Sequence, residues 1–297
     1  MAPIRDNRRG ILAMIVAMAA FNLSDALTKL STTTLPLGET ICVRGLFATL
    51  FVAGLVTARG DWGTLGRVVD RRVGWRLVGE VGATLFYLAA LVHVALPNVS
   101  AVFQATPLAM TAAAAVFLHE TVGSARWIAV AIGLVGVTII VRPGLEGFEP
   151  HSILVLISVG FVVVRDIATA RLAGQVPTSV VTLATAVAVT VLGVVLQPFE
   201  ATLSTQPVWA WPSGRETALL AATAGALVTG YVFLIEATRL AETAAIAPYR
   251  YTLLVWSLIF GQVLFGDVPD RWTLLGAAIV VATGLWGLRL ERTRARR

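Results

Sequence analysis

The sequence predicts an all-α integral membrane protein of ten transmembrane helices. They form two five-helix repeats of opposite orientation, with both the N- and C-terminus cytoplasmic. Three observations carry this expectation. Only 13% of the 297 residues are charged and 57% are hydrophobic, whereas an ordinary soluble domain carries about 25% charged residues. Long stretches contain no Asp, Glu, Lys or Arg. The residue pattern of the first half also returns in the second, about 141–147 positions later.

A soluble chain of this size must cover its core with polar surface. The charges for such a surface are missing, so lipid is the expected solvent of the exterior. A bilayer core of roughly 30 Å takes about 20 apolar residues at 1.5 Å rise each. Charge-free runs lie at 10–24, 45–58, 81–118, 127–141, 150–164, 172–199, 217–235, 251–266 and 272–288. The 81–118 run would measure about 57 Å as one helix, nearly twice the core. Pro97-Asn98 near its middle is a natural break. The expected spans are therefore 10–31, 38–58, 73–94, 97–118, 123–141, 150–171, 177–197, 216–237, 241–265 and 271–289. The run 201–214, with Pro207, Trp209, Trp211 and Pro212, reads as an interfacial loop.

Orientation follows from basic residues, which collect in cytoplasmic loops. With the N-terminus inside, that side holds sixteen of them, in clusters at Arg5–Arg9, Arg59–Arg76 and Arg289–Arg297 and at Arg126, Arg171 and Arg239. The outer side holds three: Arg142, Arg215 and Arg271. This asymmetry accounts for the net charge of +6 without a nucleic-acid partner. Met1–Arg9 leads into a retained first helix, because the apolar stretch continues to about Leu30 with no small-residue cleavage site.

The repeat is carried by matching landmarks. Asp25, Thr28 and Lys29 of the first span resemble Asp166, Thr169 and Arg171 of the sixth. Pro36 precedes the second span as Pro177 opens the seventh. Glu120 stands before Trp127 as Asp267 stands before Trp272. The repeats are expected over 1–145 and 146–297, together one domain. A unit of five helices is odd, so the second copy enters the membrane from the opposite side. Inverted repeats of this kind are characteristic of transporters, where similar halves of opposite orientation favour inward- and outward-open states of similar energy.

Ionisable residues inside a membrane are costly and are candidate functional groups. Asp25 and Lys29 stand one turn apart and can pair. Arg44 has Asp25 or Glu39 as candidate counter-ions. Arg165 and Asp166 fall in the inner third of the sixth span, and Glu236 lies near the inner end of the eighth, one turn from Arg239. Arg250 can meet a substrate carboxylate or pair with Glu80 or Glu236. Pro107 and Pro248 sit inside the fourth and ninth spans, where each removes a backbone hydrogen bond and can serve as a hinge. Gly133, Gly136, Gly276 and Gly284 permit close helix approach, within a monomer or across a homodimer. Enzymatic chemistry is not expected: there is no His-Glu-x-x-His and no Gly-x-Ser-x-Gly. Cys42 is the only cysteine, and His93, His119 and His151 have no ligand spacing, so neither a metal nor a cofactor is expected.

Several stretches resemble the drug/metabolite transporter superfamily, in its ten-helix EamA form. They are Ala95-Leu-Pro-Asn-Val-Ser, Ala105-Thr-Pro107-Leu, Phe117-Leu-His-Glu120, Val141-Arg-Pro-Gly144, Ala247-Pro-Tyr-Arg-Tyr-Thr252 and Phe265-Gly-Asp267-Val-Pro-Asp270. Asp267 replaces a more usual Glu, and His119 a more usual Gly. The resemblance implies a central cavity lined by spans 1, 3, 4, 6, 8 and 9. On those spans the expected cavity residues are Asn22, Asp25, Phe86, Tyr87, Phe103, Gln104, Phe161, Tyr231, Tyr249, Arg250 and Trp256. Aromatic walls with a few polar handles suit small metabolites. YddG-type amino-acid exporters are similar proteins, which makes amino-acid export at a bacterial inner membrane the leading expectation. Uptake of S-adenosylmethionine, a nucleoside or a flavin-like solute is the alternative.

Overall fold

A computed structural model describes residues 6–118, 122–172, 176–203 and 211–295. Arg5, His119, Glu120, Pro207, Trp209, Arg296 and Arg297 lie outside these residues. Every described element is helical. In chain order they are α1 (Asn7–Ser31), α2 (Leu37–Arg59), a 3₁₀ segment (Asp61–Val69), α3 (Arg71–His93), α4 (Leu96–Phe103), α5 (Thr106–Phe117) and α6 (Ser124–Val141). Then come α7 (Ser152–Arg171), α8 (Thr178–Leu203), α9 (Gly214–Leu240), α10 (Thr243–Ile246), a second 3₁₀ segment (Ala247–Tyr251), α11 (Thr252–Phe265) and α12 (Arg271–Ala295).

Among the described residues, nine helical stretches are long and apolar enough to cross a membrane, with α4 and α5 together counting as one. The expected ninth span is in three pieces, α10, the 3₁₀ turn and α11, because Pro248 interrupts it. The chain is a multi-pass membrane protein. Large apolar side chains such as Leu50, Phe51, Ile128, Val135, Val191 and Val263 stand exposed along these helices, as lipid-facing residues must.

The helices fall into two compact units, and each draws on both halves of the sequence. One comprises residues 1–26, 93–156 and 226–297; the other comprises 27–92 and 157–225. In the first unit α6 packs along α12, and α4 along α11. The α6–α12 contact is reciprocal: a Cβ on Gly136 would come 2.9 Å from the Gly276 carbonyl oxygen, and one on Gly276 would come 2.5 Å from that of Gly136. Gly133 lies under Leu108, and Gly284 under the Tyr251 hydroxyl. These glycines therefore serve packing within the chain.

In the second unit α2 packs along α8. Gly38, Gly45 and Gly193 bring the two backbones close, and Thr49 and Thr190 share a hydrogen bond of 3.2 Å across the contact. The Glu200 carboxylate accepts the Gly38 N–H at 3.0 Å and occupies an otherwise unpaired donor at the start of α2. Interfaces of small residues with interhelical hydrogen bonds are how helices associate where lipid removes the hydrophobic driving force.

Candidate functional site

In the first unit, the candidate residues collect where two spans are broken. Pro107 lacks the N–H that would continue a helix through Phe103, and the chain turns at Gln104–Ala105 between α4 and α5. The Thr106 hydroxyl donates to the Phe103 carbonyl at 2.6 Å. Pro248 acts alike: the backbone tightens to 3₁₀ over Ala247–Tyr251, and the Thr252 hydroxyl donates to the Tyr249 carbonyl at 2.6 Å. The two breaks meet, since Gln104 Nε2 donates to the Arg250 carbonyl at 3.4 Å.

Aromatic side chains surround these breaks within the same unit. Tyr249 and Trp256 pack against a cluster formed by Met14, Ala17, Met18 and Ile246. Trp256 also stacks on Phe260 at 5.9 Å. Tyr231 meets Phe21 edge-to-face at 5.1 Å, and Gly230 leaves the room for that ring. Asn22 is fully buried on α1, and its Nδ2 donates to Ser100 Oγ at 3.2 Å. Its Oδ1 has no partner among the described residues. Asp25 is half-buried one turn further along α1. Pro107 is exposed, Phe103 and Pro248 are half-buried, and Glu236 is exposed on α9.

The second unit holds the remaining candidates. Phe86 of α3 stacks on Phe161 of α7 at 5.5 Å with planes 14° apart. Gly82 and Gly79 make this possible, because a Cβ at either would strike Phe161 or Arg165. One turn along α7, Arg165 Nε donates to Asp166 at 2.8 Å and Nη1 reaches Glu80 at 3.5 Å. Glu80, one of the partners open to Arg250 by sequence, is therefore engaged by Arg165. Arg44 Nη1 donates to the buried Thr28 hydroxyl at 2.9 Å. Tyr87 on α3 and Lys29 on α1 are half-buried.

Sequence reasoning missed Phe21, Ser100 and Phe260. Phe21 was legible only through its position beside Asn22, one turn before Asp25; the other two are neutral residues that tertiary contacts alone single out. Among the described residues, no three His, Cys, Asp or Glu side chains gather in a way that would hold a metal ion.

Residues 8–142 match the EamA-like transporter family. The S-adenosylmethionine uptake transporter of Rickettsia felis is 30% identical over 199 residues, and the match spans 63% of this chain and 60% of that protein's length. The riboflavin transporter of Vibrio cholerae is 26% identical over 97% of this chain and 96% of its own. The pseudopaline exporter CntI of Pseudomonas aeruginosa is 25% identical, with 97% of each chain covered. A solved crystal structure superposes with a TM-score of 0.65 over 96% of this chain and 98% of its own, at 20% identity, which is a likeness of fold.

Proposed function

We propose that the chain, whose residues 8–142 match the EamA-like transporter family, is a secondary transporter of the bacterial inner membrane that exports amino acids or similar small metabolites by alternating access. The observation that carries this reading is the meeting of two broken spans at Gln104 and Arg250. Backbone groups without helical partners are tolerated at membrane depth only where they are buried in protein or line a wet cavity. Discontinuous helices at mid-membrane are where transporters hold their cargo.

The two prolines stand 141 residues apart, as do the paired Thr49 and Thr190, while Gly136 and Gly276 stand 140 apart. Residues at one repeat offset thus meet their own counterparts within each unit. That pattern supports ten spans in two inverted repeats, 1–145 and 146–297. It also supports Pro107 and Pro248 as matched hinges.

Uptake of a larger metabolite is the second reading, favoured by the relatives named for S-adenosylmethionine and riboflavin. Both readings are tested by radiolabelled flux in proteoliposomes of the full chain, with threonine, methionine, phenylalanine, riboflavin and S-adenosylmethionine as solutes. Amino-acid counterflow is the expected result. Flux of riboflavin or S-adenosylmethionine alone would replace the first reading by the second, and flux of none would remove both.

A further inference from the structure

We propose that Arg250 is the anchoring cation for a carboxylate on the transported solute, an inference that rests on the transporter reading and specifies its cargo. Apart from the basic residues counted for orientation, four lie within the expected spans: Lys29, Arg44, Arg165 and Arg250. Arg165 is held by two carboxylates and Arg44 by a threonine hydroxyl. Arg250 differs. Its side chain is exposed and forms no ion pair or hydrogen bond among the described residues. Of the two carboxylates that sequence offered it, Glu80 is engaged by Arg165. Glu236 lies in the same unit as Arg250 without pairing to it.

The backbone around Arg250 is held from two sides. Tyr249 packs on the α1 cluster, and Tyr251 is buried with its hydroxyl against Gly284 of α12. A 3₁₀ segment turns through a third of a circle per residue. Tyr249 and Tyr251 therefore take two faces, and Arg250 takes the third. That face lies within the expected ninth span, 241–265. Lipid is a poor solvent for such a group, since ionisable residues within spans face a bundle interior or water. Among the described residues, this exposed guanidinium within the expected ninth span has no carboxylate partner. A carboxylate fits best, because the planar donor fork binds it through two parallel hydrogen bonds. Gln104 fixes the Arg250 carbonyl, and Tyr249 and Trp256 offer apolar surface nearby for the rest of the solute.

The test uses the full chain in phosphatidylcholine nanodiscs, which bring no anionic headgroup to the cation. Phenylalanine, methionine and threonine are each titrated beside their amides, which keep the ammonium group and lose the carboxylate; tryptophan fluorescence reports binding. The wild type is expected to prefer at least one acid over its amide by about tenfold or more, the scale of a charge-assisted pair. Arg250→Gln is expected to abolish that preference, and Arg250→Lys to retain part of it. Equal affinity of the wild type for acids and amides would overturn the proposal. So would a Gln variant that still discriminates, or one that loses acids and amides alike. Abolition of the preference by added phosphatidylglycerol alone would assign the site to lipid and overturn it as well. Flux separates the two readings. Arg250-dependent carboxylate binding without transport removes the transporter reading and leaves the anion site. Transport of neutral riboflavin that is indifferent to Arg250→Gln keeps the transporter and removes the anion site.

Discussion

Arg165 and Arg250 both interrupt apolar spans, and their neighbours decide what each can do. Arg165 approaches Glu80 because Gly79 lets α7 lie against α3, so its charge is spent on holding two helices together. Sequence alone offers Glu80 to Arg250 and not to Arg165, since the pairing depends on which helices touch. Outside the spans, two carboxylates show the same dependence on neighbours. The hydrogen bond from His151 holds the Glu149 carboxyl below its ordinary range. Burial pushes the Asp270 carboxyl up, but hydrogen bonds from Thr273 and Arg142 outweigh it, and the net shift is downward. A carboxylate whose pKa is depressed by folding adds stability above its unfolded pKa, and that stability disappears as pH falls through the folded value. The fold is therefore expected to lose these contributions below about pH 4, where unfolded carboxylates titrate. Both side chains are 43% exposed, so each contribution is expected to be under about 1 kcal/mol. Thermal unfolding of the wild type and Glu149→Gln between pH 7 and pH 3 checks this: the two melting curves should converge in acid. A constant difference across the range would show that the pair adds nothing.

The helices show where hydropathy is informative and where it stops. Expected spans such as 123–141 and 150–171 return as α6 and α7 within two residues at each end, because exclusion of charge from lipid sets both limits. The expected spans 97–118 and 241–265 do not return as single helices. Transfer energy is blind to a break inside an apolar run; the prolines mark the place, but the geometry of each break depends on the hydrogen bonds that Thr106, Thr252 and Gln104 give to nearby carbonyls. The 3₁₀ segment Asp61–Val69 was also not foreseen, since its charges and glycines read as a plain loop. If the breaks are hinges, Pro107→Ala and Pro248→Ala should each restore a backbone donor, stiffen the span and slow flux several-fold while solute binding stays unchanged. Proteoliposome rates set beside equilibrium binding decide it; unaltered rates in both variants would show that the bends are static.

For the molecule as a whole, the excess of basic residues on one side predicts that both termini are cytoplasmic, and that expectation requires an even number of crossings. On that expectation the broken ninth span crosses the membrane despite its short pieces. Green fluorescent protein fused at either end should fluoresce, and alkaline phosphatase at the C-terminus should stay inactive; an active phosphatase would mean an odd count and remove the inverted repeat. The membrane class and most of the apolar helices were legible from sequence, because charge and apolarity are local properties. Which candidates share a unit was not legible, since the units interleave the two halves. The chain passes between them at residues 26–27, 92–93, 156–157 and 225–226. These points fall within α1, α7 and α9 and at the last residue of α3, never in a loop. Such joints resist stretching and twisting far more than a flexible tether does. Inside α1, α7 and α9 the backbone keeps its helical hydrogen bonds through the joint, which a loop would not supply.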